Sequence, residues 1–472
     1  MRKFLSIAKD MSFITLAVIL SGIVGLVTLP IYTRLIDPTE YGLYALATAT
    51  LGFLLMFLPM GVATGAFRFY FEYEKKKSLD KLYGTSIVFL LLFGSIGAIA
   101  LVAFSGIISS ALGADELKIL LIIIALIIPF QLLIQLFQNM IRIQERISLY
   151  SISLIVSAYA GAGAGIALVL LGYSVKGILI GNLIAVIVVL SFLVIAERKN
   201  ISFSMDIKTF KRLESFGFPL IFVNVGAWII QLSDRYMLQY FCGEAIVGLY
   251  SVSYTVAMVI GTFFVAPISL VLSPKFLRIW ESGERERTLT TIGSVISLSI
   301  LAIIPIYLII CIEAKTIIEI LATEKYIAGA TIVPFVAGAS VIYLFVWFQQ
   351  SPFSLKEKTK LIPFIFGAAA LTNVILNVLL IPKFDMMGAA FATLVSYILL
   401  FILLWLKGQR ILKLPYDPKY IGKCVGISVI FLAIILAETE GIILTIIKIL
   451  FAICVYGILA YKLKLLKPLD II

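Results

Sequence analysis

The chain is built from successive apolar blocks, most of them about twenty residues or longer, separated by short charged connections. A helix needs roughly 20 such residues to cross a hydrocarbon core of about 30 Å. Reading apolar runs between charge clusters gives fourteen spans, at about 11–35, 41–67, 83–110, 116–141, 148–172, 176–196, 216–241, 246–273, 289–312, 328–352, 361–381, 387–406, 421–437 and 441–461. A soluble surface cannot be made from the remainder: 62% of residues are hydrophobic and 14% are charged, against roughly a quarter charged in soluble domains. Mean hydropathy is +1.12. The ~10-residue alternating strands of an outer-membrane barrel are absent. The fold class is therefore an all-α integral membrane protein of about fourteen transmembrane helices.

Lys and Arg positions set an orientation. With the N-terminus placed in the cytoplasm, inward-facing segments hold 30 of the 38 basic residues. These segments include Arg68–Lys81, Arg198–Arg212, Lys275–Arg287, Lys356–Lys360, Lys407–Lys423 and Lys462–Lys467, with both termini and Arg142 and Arg146. Outward loops and helix ends hold six. A multi-pass protein of the cell (cytoplasmic) membrane follows, with both termini cytoplasmic and no cleaved leader. The net charge of +12 is mostly topology; it needs no nucleic-acid partner, although such loops attract anionic membrane lipids. Histidine is absent, which excludes a histidine relay, a His-liganded metal and a Ser-His-Asp triad. The four cysteines lack metal or redox spacing and read as apolar filler. No metal and no cofactor are expected.

The first twelve spans repeat. Thr33-Arg34 followed by Gly42-Leu43-Tyr44 matches Asp234-Arg235 followed by Gly248-Leu249-Tyr250. Pro129-Phe130, Phe137-Gln138 and Gln144-Glu145-Arg146 match Pro334-Phe335, Phe348-Gln349 and Lys356-Glu357-Lys358. The turn at Gly177 matches the one at Gly388, and all pairs are 201 to 212 residues apart in unbroken order. The expected organisation is an N-terminal six-helix bundle (1–200), a cytoplasmic linker (201–215), a C-terminal six-helix bundle (216–406) and two appended helices (407–472). Parallel six-helix repeats are a transporter architecture whose halves rock about a substrate path.

Three segments carry a family resemblance that spans the chain. Leu29-Pro-Ile-Tyr-Thr-Arg-Leu-Ile-Asp-Pro-Thr-Glu-Tyr-Gly-Leu-Tyr44 resembles the first hairpin of polysaccharide-exporting flippases. Trp228-Ile-Ile-Gln-Leu-Ser-Asp-Arg-Tyr-Met-Leu238 followed by Val247-Gly-Leu-Tyr250 resembles the same family most specifically. Asn373-x3-Asn377-x4-Pro382 followed by Gly388-Ala-Ala-x-Ala-Thr393 is also similar to it. These are the O-antigen-type exporters of the multidrug/oligosaccharidyl-lipid/polysaccharide (MOP) superfamily. The resemblance implies a multidrug-exporter-like twelve-helix core with two further helices. It implies as substrate a polyprenyl-diphosphate-linked oligosaccharide, flipped from the cytoplasmic to the outer leaflet for cell-surface glycan export. A coupling ion (H+ or Na+) and polymerase or glycosyltransferase partners are compatible with that role.

A lipid diphosphate brings negative charge into oil, so its carrier needs a wet, cationic or hydrogen-bonding wall. Arginine suits it, being permanently charged and able to grip phosphate bidentately. Span 7 carries Asn224, Gln231 and Arg235 on one helical face beside Trp228, and span 4 carries Gln131, Gln135, Gln138, Arg142 and Glu145 on another. Both stripes read as cavity lining or as interhelical hydrogen-bond glue. Arg235 is the leading phosphate ligand, with snorkelling to the surface as its bland alternative. On this reading Arg235→Ala abolishes export from a normally inserted protein. Asp234 is an ion-pair or ion-coupling candidate, although neighbours on a continuous helix do not face each other. Arg34, on an apolar face, is weaker; Arg68, Arg142 and Arg278 lie at cytoplasmic ends, as entry sites or topology charges. A cation-coupled multidrug or small-molecule exporter of the same fold is the alternative function, which would want free buried carboxylates. An enzyme is not expected, because no large outer loop, histidine or clustered acid pair is present.

Overall fold

The computed structural model describes residues 2–439 and 441–466; Lys467, counted above among the inward charges, lies outside them. Every regular element among the described residues is helical: α1 (Arg2–Leu35), α2 (Pro38–Phe57), α3 (Val62–Lys75), α4 (Leu79–Ala111), α5 (Leu117–Ile143), α6 (Ile147–Leu168), α7 (Ser174–Glu197), α8 (Ile207–Leu232), α9 (Asp234–Cys242), α10 (Glu244–Ala257), α11 (Ala266–Glu281), α12 (Arg285–Ile312), α13 (Ala314–Ala322), α14 (Val333–Leu355), α15 (Ile362–Ile411), α16 (Pro418–Ile435) and α17 (Ile442–Lys462). Twelve continuous helical stretches are long and apolar enough to cross a membrane. Two of them, Ile147–Glu197 and Thr359–Ile411, run to 51 and 53 residues. At 1.5 Å per residue each would be far longer than one crossing.

Both long stretches reverse. Gly172 (φ 88) and Ser174 (φ 48) break the first, and Asp385 (φ 47) breaks the second. A Cβ on Gly177 would touch the Leu168 backbone, and one on Gly388 would meet the Leu380 carbonyl. Only a doubled-back chain brings those residues together, so the described residues form fourteen transmembrane helices, as expected. The protein is a multi-pass membrane protein.

Other breaks divide single crossings. Span 2, expected as one helix over 41–67, is interrupted at Met60 (φ 44) and Gly61 (φ 75), just past Pro59, so α2 and α3 are separate. In span 7 the hydrogen-bond pattern slips for one residue at Ser233, but the backbone there stays helical (φ -69, ψ -25), so α8 runs into α9 as one crossing. The segment after α12 holds α13, a short helix with Ala314, Ile318 and Ala322 buried.

The helices cluster into two compact units, residues 1–251 with 370–389, and residues 252–369 with 390–472. In the first, α6 and α7 pair through small residues: a Cβ on Gly181 would collide with the Gly165 backbone. This is the close approach that the Gly161/Gly165 spacing predicts. The repeat is visible here too. A Cβ on Gly42 would fall on the Glu244 carbonyl, and one on Gly248 would fall on the Pro38 carbonyl. The two contacts are reciprocal, related by the offset that relates the two Gly-Leu-Tyr motifs. Neither position has room for a side chain.

In the second unit the last two helices pack against α12. Tyr456 donates its hydroxyl to the Leu301 carbonyl (2.9 Å). Lys448, an odd cation in an apolar helix, pairs with Glu313 at 2.8 Å and donates to the Ala437 carbonyl (3.0 Å). An intramembrane lysine is tolerated because its charge is matched in place.

Candidate functional site

The two polar stripes of the sequence lie in the first unit and meet different fates. On α5, Gln131, Gln135, Gln138 and Arg142 are all half-buried, whereas Glu145 is exposed beyond the helix end with φ 58. Glu145 therefore leaves the stripe. Gln138 Nε2 donates to Ser153 Oγ on α6 (3.0 Å). Arg142 donates through a terminal nitrogen to Asn139 Oδ1 (3.2 Å). Its guanidinium carbon lies 4.9 Å from the Phe67 ring centre and 6.0 Å from that of Tyr150, a cation held by ring faces. Its buried Nε has no hydrogen-bond acceptor, and it has no carboxylate partner, among the described residues. A half-buried, permanently charged group without a counter-ion is costly unless water or an anion completes it.

Arg235 differs. It is buried at 5% exposure and Asp234 at 0%. Arg235 donates to Asp234 Oδ1 (2.9 Å) and to the Gln231 carbonyl (2.7 Å). The Tyr250 hydroxyl hydrogen-bonds the other Asp234 oxygen, and the Arg235 guanidinium carbon lies 5.6 Å from the Tyr250 ring centre. The expectation that chain neighbours face apart does not hold for this pair. Here both residues belong to α9, and the long Arg235 side chain nevertheless reaches back to the Asp234 carboxylate and the Gln231 carbonyl. Nor does Arg235 snorkel to the surface. Its charge is compensated inside the protein, and Tyr250 comes from the second Gly-Leu-Tyr motif.

The remaining candidates are scattered. Asn224 is exposed on α8, while Gln231 is half-buried. Trp228, between them, donates its indole N–H to the Ala49 carbonyl (3.2 Å). Just beyond, Tyr236 shares a 2.6 Å hydrogen bond with Thr50, so this face of span 7 is fastened to α2. Arg34 is exposed and donates to the Pro30 carbonyl (2.8 Å). Arg68 is exposed, 5.9 Å from the centre of the Phe69 ring. Arg278, in the second unit, is also exposed. The structure thus assembles Gln138, Asn139 and Arg142 with Phe67 and Tyr150 at one end of the first unit. It leaves Arg34, Arg68 and Asn224 outside that cluster.

Sequence reasoning missed a second charged centre. Glu197, fully buried at the end of α7, accepts from Tyr83 Oη (2.8 Å), Gln144 Nε2 (3.2 Å) and Asn200 Nδ2 (3.0 Å) and is ion-paired with Arg146. It ties α4, the end of α5 and α7 together. In the sequence it stands beside Arg198-Lys199 and reads as part of a solvated turn; no local signal marks its burial. Glu197→Ala leaves the Tyr83 hydroxyl without its acceptor and Gln144 with only the Tyr83 oxygen (2.9 Å). The expected cost is on the order of 3 kcal/mol after allowing for the half-exposed Arg146. Thermal unfolding in detergent should show a midpoint lowered by several degrees, and Glu197→Gln a smaller loss. An unchanged midpoint in both variants would remove this centre from the account of stability.

Fourteen crossings, two reversing hairpins and charged groups seated among the helices define a polytopic helical membrane protein. The model of the Polysaccharide biosynthesis protein family matches residues 7–280, more than half of the chain, and the protein belongs to that family. The chain is 23% identical to a putative O-antigen transporter of Shigella flexneri, over 85% of this chain and 98% of that protein. It is 22% identical to the probable low-salt glycan biosynthesis flippase Agl15 of Haloferax volcanii, over 90% of this chain and 89% of that one. It is 27% identical to an uncharacterized membrane protein of Methanocaldococcus jannaschii, but over only 41% of this chain and 38% of that protein. Among solved structures, the lipid II flippase MurJ in an inward closed conformation superposes with a TM-score of 0.80 at 17% identity, over 95% of this chain and 98% of that one. An inward-facing multidrug resistance MATE family transporter of the MOP superfamily gives 0.65 at 14% identity, over 83% and 95%. The fold is that of MOP-superfamily transporters, and the protein is a distant homologue of polysaccharide and glycan biosynthesis transporters.

Proposed function

We propose that the protein flips a polyprenyl-diphosphate-linked oligosaccharide from the cytoplasmic to the outer leaflet by alternating access, with residues 1–200 and 216–406 as the rocking bundles. Both termini are then cytoplasmic, as the Lys and Arg distribution requires. The observation that carries the reading is Arg142: a half-buried cation flanked by two rings and amides, without an acid partner among the described residues. A diphosphate would supply the missing counter-charge through charge-assisted hydrogen bonds. Gln131, Gln135 and Gln138 continue the same half-buried face as hydroxyl-binding groups, and Arg68 is an outlying cation on the entry side. Asp234, which a cation-coupled drug exporter would need free, is already engaged by Arg235 and Tyr250.

The test is reconstitution. Purified protein in liposomes should move a fluorescent polyprenyl-diphosphate sugar between leaflets, faster than the polyprenyl monophosphate sugar. No movement above protein-free vesicles, with proton or sodium gradients of either sign, would refute the reading. A membrane potential and a polymerase or glycosyltransferase that consumes the product outside are the remaining ways to drive net transfer.

A further inference from the structure

The segment joining α7 to α8 has no regular secondary structure over residues 201–206 and is held against α4. The Asp206 N–H donates to Thr85 Oγ1 (3.0 Å), and Ser204 lies so close to Gly84 that a Cβ there would strike it. Asp206 caps α8 by accepting from Thr209 N (2.9 Å) and Thr209 Oγ1 (2.6 Å). Those bonds hold its carboxyl below the usual carboxylate range, so the cap stays ionised. Tyr73 on α3 adds a hydrogen bond to Thr209 Oγ1 (3.1 Å). Phe203 (71% exposed), Met205 (47%) and Ile207 (64%) are left exposed, while Asp206 is half-buried.

This apolar row is bordered by Arg198, Lys199, Lys208 and Lys211, all exposed. None of the four has a carboxylate partner among the described residues. The segment connects the end of one crossing, Glu197, to the start of another, Ile207. It therefore lies at the membrane surface by construction. Three outward apolar side chains ringed by four unmatched cations are complementary to one thing at that depth: acyl chain beneath anionic headgroups.

We infer that residues 198–211 are a lipid-binding strap, with Phe203, Met205 and Ile207 seated in the bilayer interface and the four cations gripping anionic lipid headgroups. The pinning to Thr85 and Gly84 is what presents the row; a free loop would bury its apolar groups against itself or not at all. Because the cations flank the row on both sides, anionic lipid sets how deeply the strap sits. The inference is independent of the transported cargo.

The experiment places a nitroxide at Phe203→Cys in full-length protein whose four native cysteines are alanine. Its accessibility to oxygen and to an aqueous nickel chelate is then measured in vesicles with and without phosphatidylglycerol. A several-fold higher oxygen-to-nickel ratio is expected with phosphatidylglycerol, falling back when Arg198, Lys199, Lys208 and Lys211 are all glutamine. A label open to nickel in both vesicles, or buried equally regardless of lipid charge and of the four substitutions, overturns the inference. Should the cysteine-free protein not fold, native mass spectrometry of the wild type and the fourfold glutamine variant decides. The variant should retain several-fold less phosphatidylglycerol, and equal retention would overturn the inference just as fully.

Discussion

Arg142→Ala is expected to lower diphosphate-sugar flipping in liposomes by roughly 30-fold to 1,000-fold, which corresponds to losing about 2–4 kcal/mol of charge-assisted phosphate binding. The protein should insert and unfold nearly as the wild type does, because removing Arg142 strands no acid: its described partners are Asn139 and two aromatic rings. Relieving an incompletely satisfied cation can even raise the thermal midpoint slightly. Arg142→Lys separates two contributions. A lysine keeps the charge but cannot present a planar fork to two phosphate oxygens, so residual activity measures charge alone and full loss measures geometry. Flipping that persists undiminished in Arg142→Ala would move phosphate recognition elsewhere in the chain.

Arg235→Ala should behave in the opposite way. Asp234 is fully buried, and its neighbours in charge are Arg235 and the Tyr250 hydroxyl. Removing the guanidinium leaves a carboxylate in the protein interior, a change that typically costs about 3–5 kcal/mol. The expected result is a strongly lowered thermal midpoint and poor accumulation in the membrane, with any loss of export following from the loss of folded protein. The double replacement Asp234→Asn with Arg235→Gln removes both charges together and should recover much of that stability. A double variant that folds and still flips its substrate would establish the pair as structural. One that folds normally and is inactive would return Arg235 to the substrate path, which is where the sequence stripe placed it.

The contrast between these two arginines shows where sequence reasoning stops. On paper Arg235 is the stronger ligand: it stands alone within an apolar span, on a face with Asn224 and Gln231. Arg142 resembles a topology charge at a helix end. What reverses the order is where the Arg235 side chain goes: it donates to the Asp234 carboxylate and to the Gln231 carbonyl, so its charge is matched inside the protein. No composition or periodicity signals that pairing, because it depends on side-chain conformation and on Tyr250, sixteen residues on, reaching the same carboxylate. Glu197 is hidden for a related reason. Its burial depends on Tyr83, Gln144 and Arg146, which are brought to it from two other helices by tertiary packing.

The crossing number, the class of protein and the reversing turns were all determined by the chain's own pattern. Water and hydrocarbon impose one-dimensional rules, span length and the price of exposed backbone, that a linear sequence must satisfy locally. The repeat was legible likewise, and it returns as the reciprocal approach of Gly42 to Glu244 and of Gly248 to Pro38. Only the tertiary structure decided which charges are spent on one another and which remain for a ligand. That distinction depends on distances of about 3 Å between residues far apart in the chain, and electrostatic compensation in a low-dielectric interior is settled at that range and no longer one.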